Sequence, residues 1–177
     1  MKAVLISIQP RWCKLIANGK KTVEVRKSKP KMEAPFKVYI YCTQEKRRYS
    51  PWGGKVFGEF VCDRIYQYAS DLFRSTLVEG TDISTEEMAR LSCLSAKELY
   101  EYEHSAEPRE NCIYLFGVYG WHISDMKIYD TPLDLSNFFH ACDKPSEQNC
   151  IVCEESGKAR CKQLRRPPQS WCYVMEV

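Results

Sequence analysis

Nothing in this 177-residue chain approaches a run of about 20 apolar residues, the length that spans a bilayer as a helix. Partnership with a membrane is therefore not expected. The opening stretch, MKAVLISIQPRW, is too short for a signal peptide and has no small-residue cleavage site, so it reads as a strand. Internal repeats are absent, and the composition is that of neither a disordered tail nor a fibrous protein.

What is present is enough apolar material for a core. Hydrophobic residues make up 44% of the chain and aromatics 12%, and the length is close to that of one domain. The unusual number is ten cysteines. Without a secretory signal they point to a reducing, cytoplasmic setting and to metal or buried thiols rather than a disulfide scaffold.

The net charge of +3 hides a polarity. Residues 1–60 hold 14 Lys/Arg against 4 Asp/Glu, whereas residues 61–141 hold 6 against 14. A basic segment of this kind attracts phosphates, because cationic side chains displace condensed counterions from nucleic acid. The alternative is that the two stretches neutralise one another within the fold.

Along the chain, residues 2–8 read as a first strand. Pro10 suits a first helical position, Trp12, Leu15 and Ile16 fall at helical spacing, and Asn18-Gly19 stops the helix. Lys21-Thr22-Val23-Glu24-Val25-Arg26 alternates as a strand, with the two valines inward and Thr22, Glu24 and Arg26 on the opposite face. Segments 36–42 and 54–62 read as strands joined by a basic loop with Lys46, Arg47 and Arg48. Ser84 with Glu87 and Ser95 with Glu98 fit capping boxes that open two short helices. Segment 112–119 reads as a central strand, followed by a proline-marked stretch, a short Leu-Ser-Asn-Phe-Phe helix and a last strand at 171–177. Strands and helices without βαβ regularity predict an α+β fold with a curved, mostly antiparallel sheet or small barrel.

Cys142, Cys150, Cys153 and Cys161 form a C-x7-C-x2-C-x7-C set between polar residues that cannot bury a core of their own. The central pair has metal-knuckle spacing. Four thiolates around one Zn²⁺, at about 2.3 Å per bond, would hold such a loop as a closed structural site. An iron–sulfur cluster, four unrelated surface thiols, or His140 as a substitute ligand are the other readings. The remaining six, Cys13, Cys42, Cys62, Cys93, Cys112 and Cys172, sit in apolar contexts and are expected to be small core residues.

The sharpest functional signal is Ile16-Ala-Asn-Gly19-Lys20-Lys21-Thr22-Val23-Glu24-Val25-Arg26, where a helix ending in glycine feeds a strand rich in donors plus one acceptor. Such a set suits a planar polar ligand with a phosphate. It also suits a plain exposed strand with a cross-strand Glu–Arg pair.

Those residues, with Ser7-Ile-Gln9-Pro10, the Gly54-Lys-Val-Phe-Gly58-Glu59-Phe strand and the closing Pro168-Gln169-Ser170-Trp171-Cys172-Tyr173-Val174, resemble the ASCH domains of the PUA-like superfamily. The resemblance implies a PUA-like pseudo-barrel with flanking helices, read here as one domain over 1–177. The four-cysteine loop at 142–161 is not a general part of the family and reads as a zinc loop inserted before the final strand. Small proteins with a similar Pro-Gln-Ser-Trp ending look phage- or prophage-derived. The resemblance also implies binding of RNA or a modified nucleobase, nucleoside or nucleotide in a basic cleft. That cleft would be lined by Gln9, Lys20, Lys21, Thr22, Glu24, Arg26, Gln169, Ser170 and Trp171.

One branch of the family deacylates N4-acetylcytidine with a lysine, a threonine and a glutamate. Lys21 matches the family lysine, and Glu24 stands where the threonine nucleophile would be. An amidohydrolase would therefore use Lys21 and Glu24, with Glu59, Glu86 and Glu87 as alternative acidic partners. Trp12, Trp52 and Trp171 are the candidate stacking faces, and the zinc loop is a candidate surface for a protein partner.

Overall fold

The computed structural model describes residues 1–45, 49–69, 82–105, 117–141 and 162–177. The elements run β1 (Lys2–Ile8), α1 (Pro10–Ala17), β2 (Val23–Arg26), β3 (Phe36–Cys42), β4 (Val56–Cys62) and β5 (Ile65–Tyr68). Then come α2 (Thr85–Ser92), α3 (Ala96–His104), β6 (Val118–His122), β7 (Ser124–Leu133), a 3-10 turn at Leu135–Asn137, and β8 (Trp171–Met175).

The chain folds as two compact units. The first comprises Met1–Cys13, Lys37–Phe60 and Met126–Val177; the second comprises Lys14–Phe36 and Val61–Asp125.

The sheet built largely by the first unit has the order β7-β4-β3-β1-β8. β1 pairs in parallel with β3, from Val4 opposite Val38 to Ile8 opposite Cys42, and antiparallel with β8, from Lys2 opposite Met175 to Ile6 opposite Trp171. Both faces of β1 are covered, so it reads as an unbroken apolar run rather than an alternating one. Its core gathers Ala3, Leu5, Tyr39, Val56, Phe138, Leu164 and Val174. Gly58 is required where β4 meets β7: a Cβ there would stand 2.4 Å from the Lys127 carbonyl oxygen.

The second unit holds the sheet β2-β6-β5. Val23 and Val25 pack with Tyr68, Ile83, Met88, Leu99 and Val118, so the valine face points inward as its alternation requires. Gly120 makes room for this packing, since a Cβ would approach Met88 Cε and Val23 Cγ1 to 2.8 Å. Both helices open as their sequence signals predict. The Ser84 hydroxyl accepts from the Glu87 amide, and Ser95 and Glu98 form a complete capping box.

One expectation changes. The described strands form two open sheets, not a closed pseudo-barrel. The cause lies in the connection from β1 to β3: the intervening strand, β2, leaves to pair with β6, and parallel neighbours need such a crossover. Of the strand expected at 112–119, residues 112–116 lie outside the described ones, and Val118 and Tyr119 lie in β6. Two strands, β5 and the ten-residue β7, had no clear sequence signal. β7 lies at a sheet edge and is polar or half-exposed along most of its length, which hides the alternation.

No helix among the described residues is long and apolar enough to cross a membrane.

Candidate nucleic-acid interface

The expected ligand residues divide between the two units. Gln9, Gln169, Ser170 and Trp171 belong to the first; Lys20, Lys21, Thr22, Glu24 and Arg26 belong to the second.

In the first unit, Ser7 joins Pro168 and Ser170 where β1 ends and β8 begins. The Ser7 amide donates to the Ser170 carbonyl at 2.9 Å, and the Ser7 hydroxyl donates to the Pro168 carbonyl at 2.7 Å. Trp171 stands opposite Ile6 and meets the Tyr173 ring edge to face, with centroids 5.4 Å apart. The Gln9 carbonyl accepts the Trp12 and Cys13 amides at the start of α1, leaving the Gln9 side chain exposed. Gln169 is exposed as well.

In the second unit, the helix α1 ends at Gly19 in the left-handed region, φ +71°, where a residue without Cβ is unstrained. The chain then runs beside the C-terminus of α2. The Thr22 amide donates to the Leu91 carbonyl at 2.9 Å, and the Lys21 ammonium donates to the Ser92 carbonyl at 2.8 Å. The Cys93 thiol reaches the Lys20 carbonyl at 3.3 Å. Helix ends leave carbonyls without intrahelical partners, and a cation there also meets the negative end of the helix dipole. Lys20 itself stays exposed, and Thr22 is half-buried.

Lys21 is simultaneously 3.3 Å from Glu24 Oε2, and Arg26 is 2.9 Å from Glu24 Oε1. The side chains of Lys21, Glu24 and Arg26 are only 2%, 8% and 11% exposed. The expectation that Thr22, Glu24 and Arg26 form an open face therefore fails at Glu24. One carboxylate between two cations compensates charges that would otherwise be too costly to bury. The pairing runs along one strand, so it is not the cross-strand Glu–Arg contact anticipated as the alternative.

Arg26 ends β2 as the least buried of the three paired side chains, and exposure increases along Lys27 to Lys29. The register sets Glu24 opposite Trp121 and Arg26 opposite Tyr119. Trp121 is fully buried against Phe36, whereas Tyr119 is half-buried. Lys29 Nζ lies 5.3 Å from the Tyr119 ring centroid, and Lys27 Nζ lies 5.4 Å from that of Tyr102 while donating to the Ser105 hydroxyl at 2.7 Å. Burial pushes the Tyr102 phenol above its ordinary range, and the Arg26 charge works against that shift. A row of cations with two tyrosine rings thus follows the buried triad. Sequence reading missed Lys27, Lys29, Tyr102 and Tyr119. The two lysines were visible as part of the basic first 60 residues, but the tyrosines come from α3 and β6 and are remote in sequence.

The other basic residues of that segment are partly consumed. Lys37 pairs with Glu176 at 2.8 Å and Glu59 at 3.7 Å, and Lys55 pairs with Asp134. Glu59 also accepts from the Tyr129 hydroxyl at 2.7 Å, which makes it a structural acceptor in the first unit. Glu86 and Glu87 lie in the first turn of α2, where carboxylates meet the positive end of the helix dipole.

Of the tryptophans expected to stack on bases, Trp12, Trp52 and Trp171 are all half-buried. Trp52 already carries Phe57 on one face, 4.5 Å away, and Trp12 carries the Arg11 guanidinium at 4.2 Å. Cys142, Cys150, Cys153 and Cys161 lie outside the described residues. Among the described residues no group of three or more His, Cys, Asp or Glu side chains is placed to hold a metal ion.

The ASCH domain model matches residues 6–105, more than half of the chain. No curated protein matches it. Among solved structures, the crystal structure of ASCH from Zymomonas mobilis is similar with a TM-score of 0.58 and 19% identity, covering 98% of this chain and 88% of that one. A serine-to-alanine mutant of the same protein gives 0.57 at 18% identity, with coverage of 98% and 89%. A tyrosine-to-phenylalanine mutant gives 0.53 at 19%, with coverage of 99% and 92%. At such identities the likeness concerns the fold alone. With a family match that spans β1 to α3, the chain belongs to the ASCH domain family, a PUA-like RNA-binding fold family.

Proposed function

We propose that this protein binds single-stranded RNA or a modified nucleobase through the row Arg26, Lys27 and Lys29 with Tyr102 and Tyr119. The observation that carries the reading is the pairing of each lysine with a ring at 5.3 and 5.4 Å. Proteins that hold unpaired strands combine a cationic track for the backbone with aromatic faces for the bases, and both parts occur here side by side. The buried triad supports the row by fixing Arg26 against Glu24, so its guanidinium is pre-positioned.

Gln9, Gln169, Ser170 and Trp171 remain proposed ligand contacts from the family resemblance. The alternative of an amidohydrolase acting through Lys21 and Glu24 has no separate observation in its favour, because the Lys21 ammonium is engaged by Ser92 and Glu24. The Cys142, Cys150, Cys153 and Cys161 loop is retained as a proposed structural zinc site and protein-contact surface, within one ASCH domain of a cytoplasmic, prophage-type protein.

The test is binding of labelled single-stranded RNA across a salt series. Lys27→Ala and Lys29→Ala should each weaken binding for every sequence tried and flatten the log K against log salt slope by about 1. A wild-type slope near zero would remove the proposal.

A further inference from the structure

Cys13 and Cys42 lie in the first unit at the junction of β1, α1 and β3, and both are fully buried. The register places Ile8 opposite Cys42, and the Thr43 amide donates to the Ile8 carbonyl at 2.8 Å. One helical turn later, the Cys13 thiol returns to that same carbonyl at 3.4 Å. Cys13 is also hydrogen-bonded to the Cys42 sulfur, which lies 3.6 Å from the Ser50 hydroxyl and 3.7 Å from the Thr43 carbonyl oxygen. The Cys13 proton thus has two acceptors in reach, the Ile8 carbonyl and the Cys42 sulfur.

These surroundings set Cys42 apart from the other apolar-context thiols. Burial pushes the Cys62 thiol up to about 12 and that of Cys172 up to about 11. Cys42 is lowered to about 7, chiefly by the hydrogen bond from Cys13 and then by that from Ser50, against burial and the nearby Glu45 charge. Thiolate, not thiol, is the reacting species, so the cysteine whose thiolate Cys13 and Ser50 stabilise reacts ahead of those that burial holds as thiols.

We propose that Cys13 and Cys42 form an oxidisable dithiol that closes to an intrachain disulfide when a hydroperoxide reaches it. The inference stands apart from RNA binding. Both sulfurs are buried, so the oxidant must be small, and hydrogen peroxide is the class that fits. The Cys42 thiolate attacks one peroxide oxygen, the O–O bond breaks and hydroxide leaves, which makes Cys42 a sulfenic acid. The Cys13 sulfur then attacks the Cys42 sulfur; the S–O bond breaks, the Cys13 proton goes to the departing oxygen, and water leaves. Two thiols lose two electrons and the peroxide is reduced by two. Closure draws Cys13 from the Ile8 carbonyl and Cys42 from Ser50, tying α1 to the end of β3.

The experiment uses reduced full-length protein treated with hydrogen peroxide, quenched, unfolded, alkylated and digested. The peptides carrying Cys13 and Cys42 should leave the alkylated pool together and return as one cross-linked species that reductant releases. This should happen before oxidation at Cys62 or Cys172. In Cys13→Ser, Cys42 should stop at the sulfenic acid and be trapped by dimedone supplied in the unfolding step. The proposal is overturned if Cys13 and Cys42 remain alkylatable while Cys62 or Cys172 is oxidised, or if Cys42 couples to a different cysteine. Wild-type mapping decides the matter even if the variant fails to fold.

Discussion

The Lys21 ammonium donates to the Ser92 carbonyl at 2.8 Å, so a cation that the sequence offers as a ligand contact also satisfies a carbonyl at the C-terminus of α2. The same nitrogen lies 3.3 Å from Glu24, which also holds Arg26. In this arrangement Lys21 ties the approach to β2 to the end of α2, and Lys27 and Lys29 follow the strand.

An order of stability losses follows. Glu24→Ala leaves two buried cations without their counter-charge and should cost about 3–5 kcal/mol. Lys21→Ala leaves Glu24 still paired with Arg26 and should cost less, and Lys27→Ala on the surface should cost close to nothing. Urea unfolding of the three variants measures the order. A Lys27→Ala loss as large as that of Glu24→Ala would contradict the burial argument.

Tyr119→Ala tests the aromatic half of the interface. Stacking on one base is worth roughly 1–3 kcal/mol. The variant should lose that much affinity for single-stranded RNA while keeping the wild-type salt slope, because no cation is removed. Unchanged affinity would show that the ring stacks only on Lys29.

Gly58→Ala should destabilise the first unit by roughly 1–3 kcal/mol, since the added methyl meets backbone rather than a movable side chain. Thermal unfolding reads the effect. Gly53→Ala is the matched control, because a Cβ there meets the Ser50 carbonyl oxygen at 3.4 Å, ordinary contact distance. Equal losses in the two variants would count against a steric cause at Gly58.

Cys42 has a pH signature. Its folded value, about 7, lies below the ordinary 9.0 of an unfolded cysteine. The folded state therefore releases this proton first. The resulting stabilisation is complete above the unfolded value and is lost as pH falls through about 7. Stability should rise between those two limits in the wild type and rise less in Cys42→Ser. Parallel curves for the two proteins would rule out the shift.

Metal content tests the cysteine spacing at 142–161. Protein prepared under reducing conditions should carry close to one zinc ion per chain by elemental analysis, and Cys150→Ser should release it. Metal-free wild-type protein would refute the site.

Much of the fold was legible because its signals are local. β1 and β3 declare themselves as apolar runs, Gly19 ends α1, and Ser84 and Ser95 open α2 and α3 through bonds to residues three positions on. Each depends on neighbours along the chain. β7 escaped notice because an edge strand does not have to alternate, and β5 because four residues carry too little pattern.

Residue types were readable in the same local way: Lys21, Glu24 and Arg26 are where motif and spacing place them. Their roles depended on tertiary structure, because burial is decided by what packs on the strand from elsewhere. Ser92 arrives from α2 to take the Lys21 ammonium, Tyr119 from β6 and Tyr102 from α3, and no spacing in β2 encodes any of them. Cys13 and Cys42 follow the same rule. Each reads as a small apolar core residue, and only the pairing of β1 with β3 brings Cys42 beside the Cys13 thiol that rests on the Ile8 carbonyl.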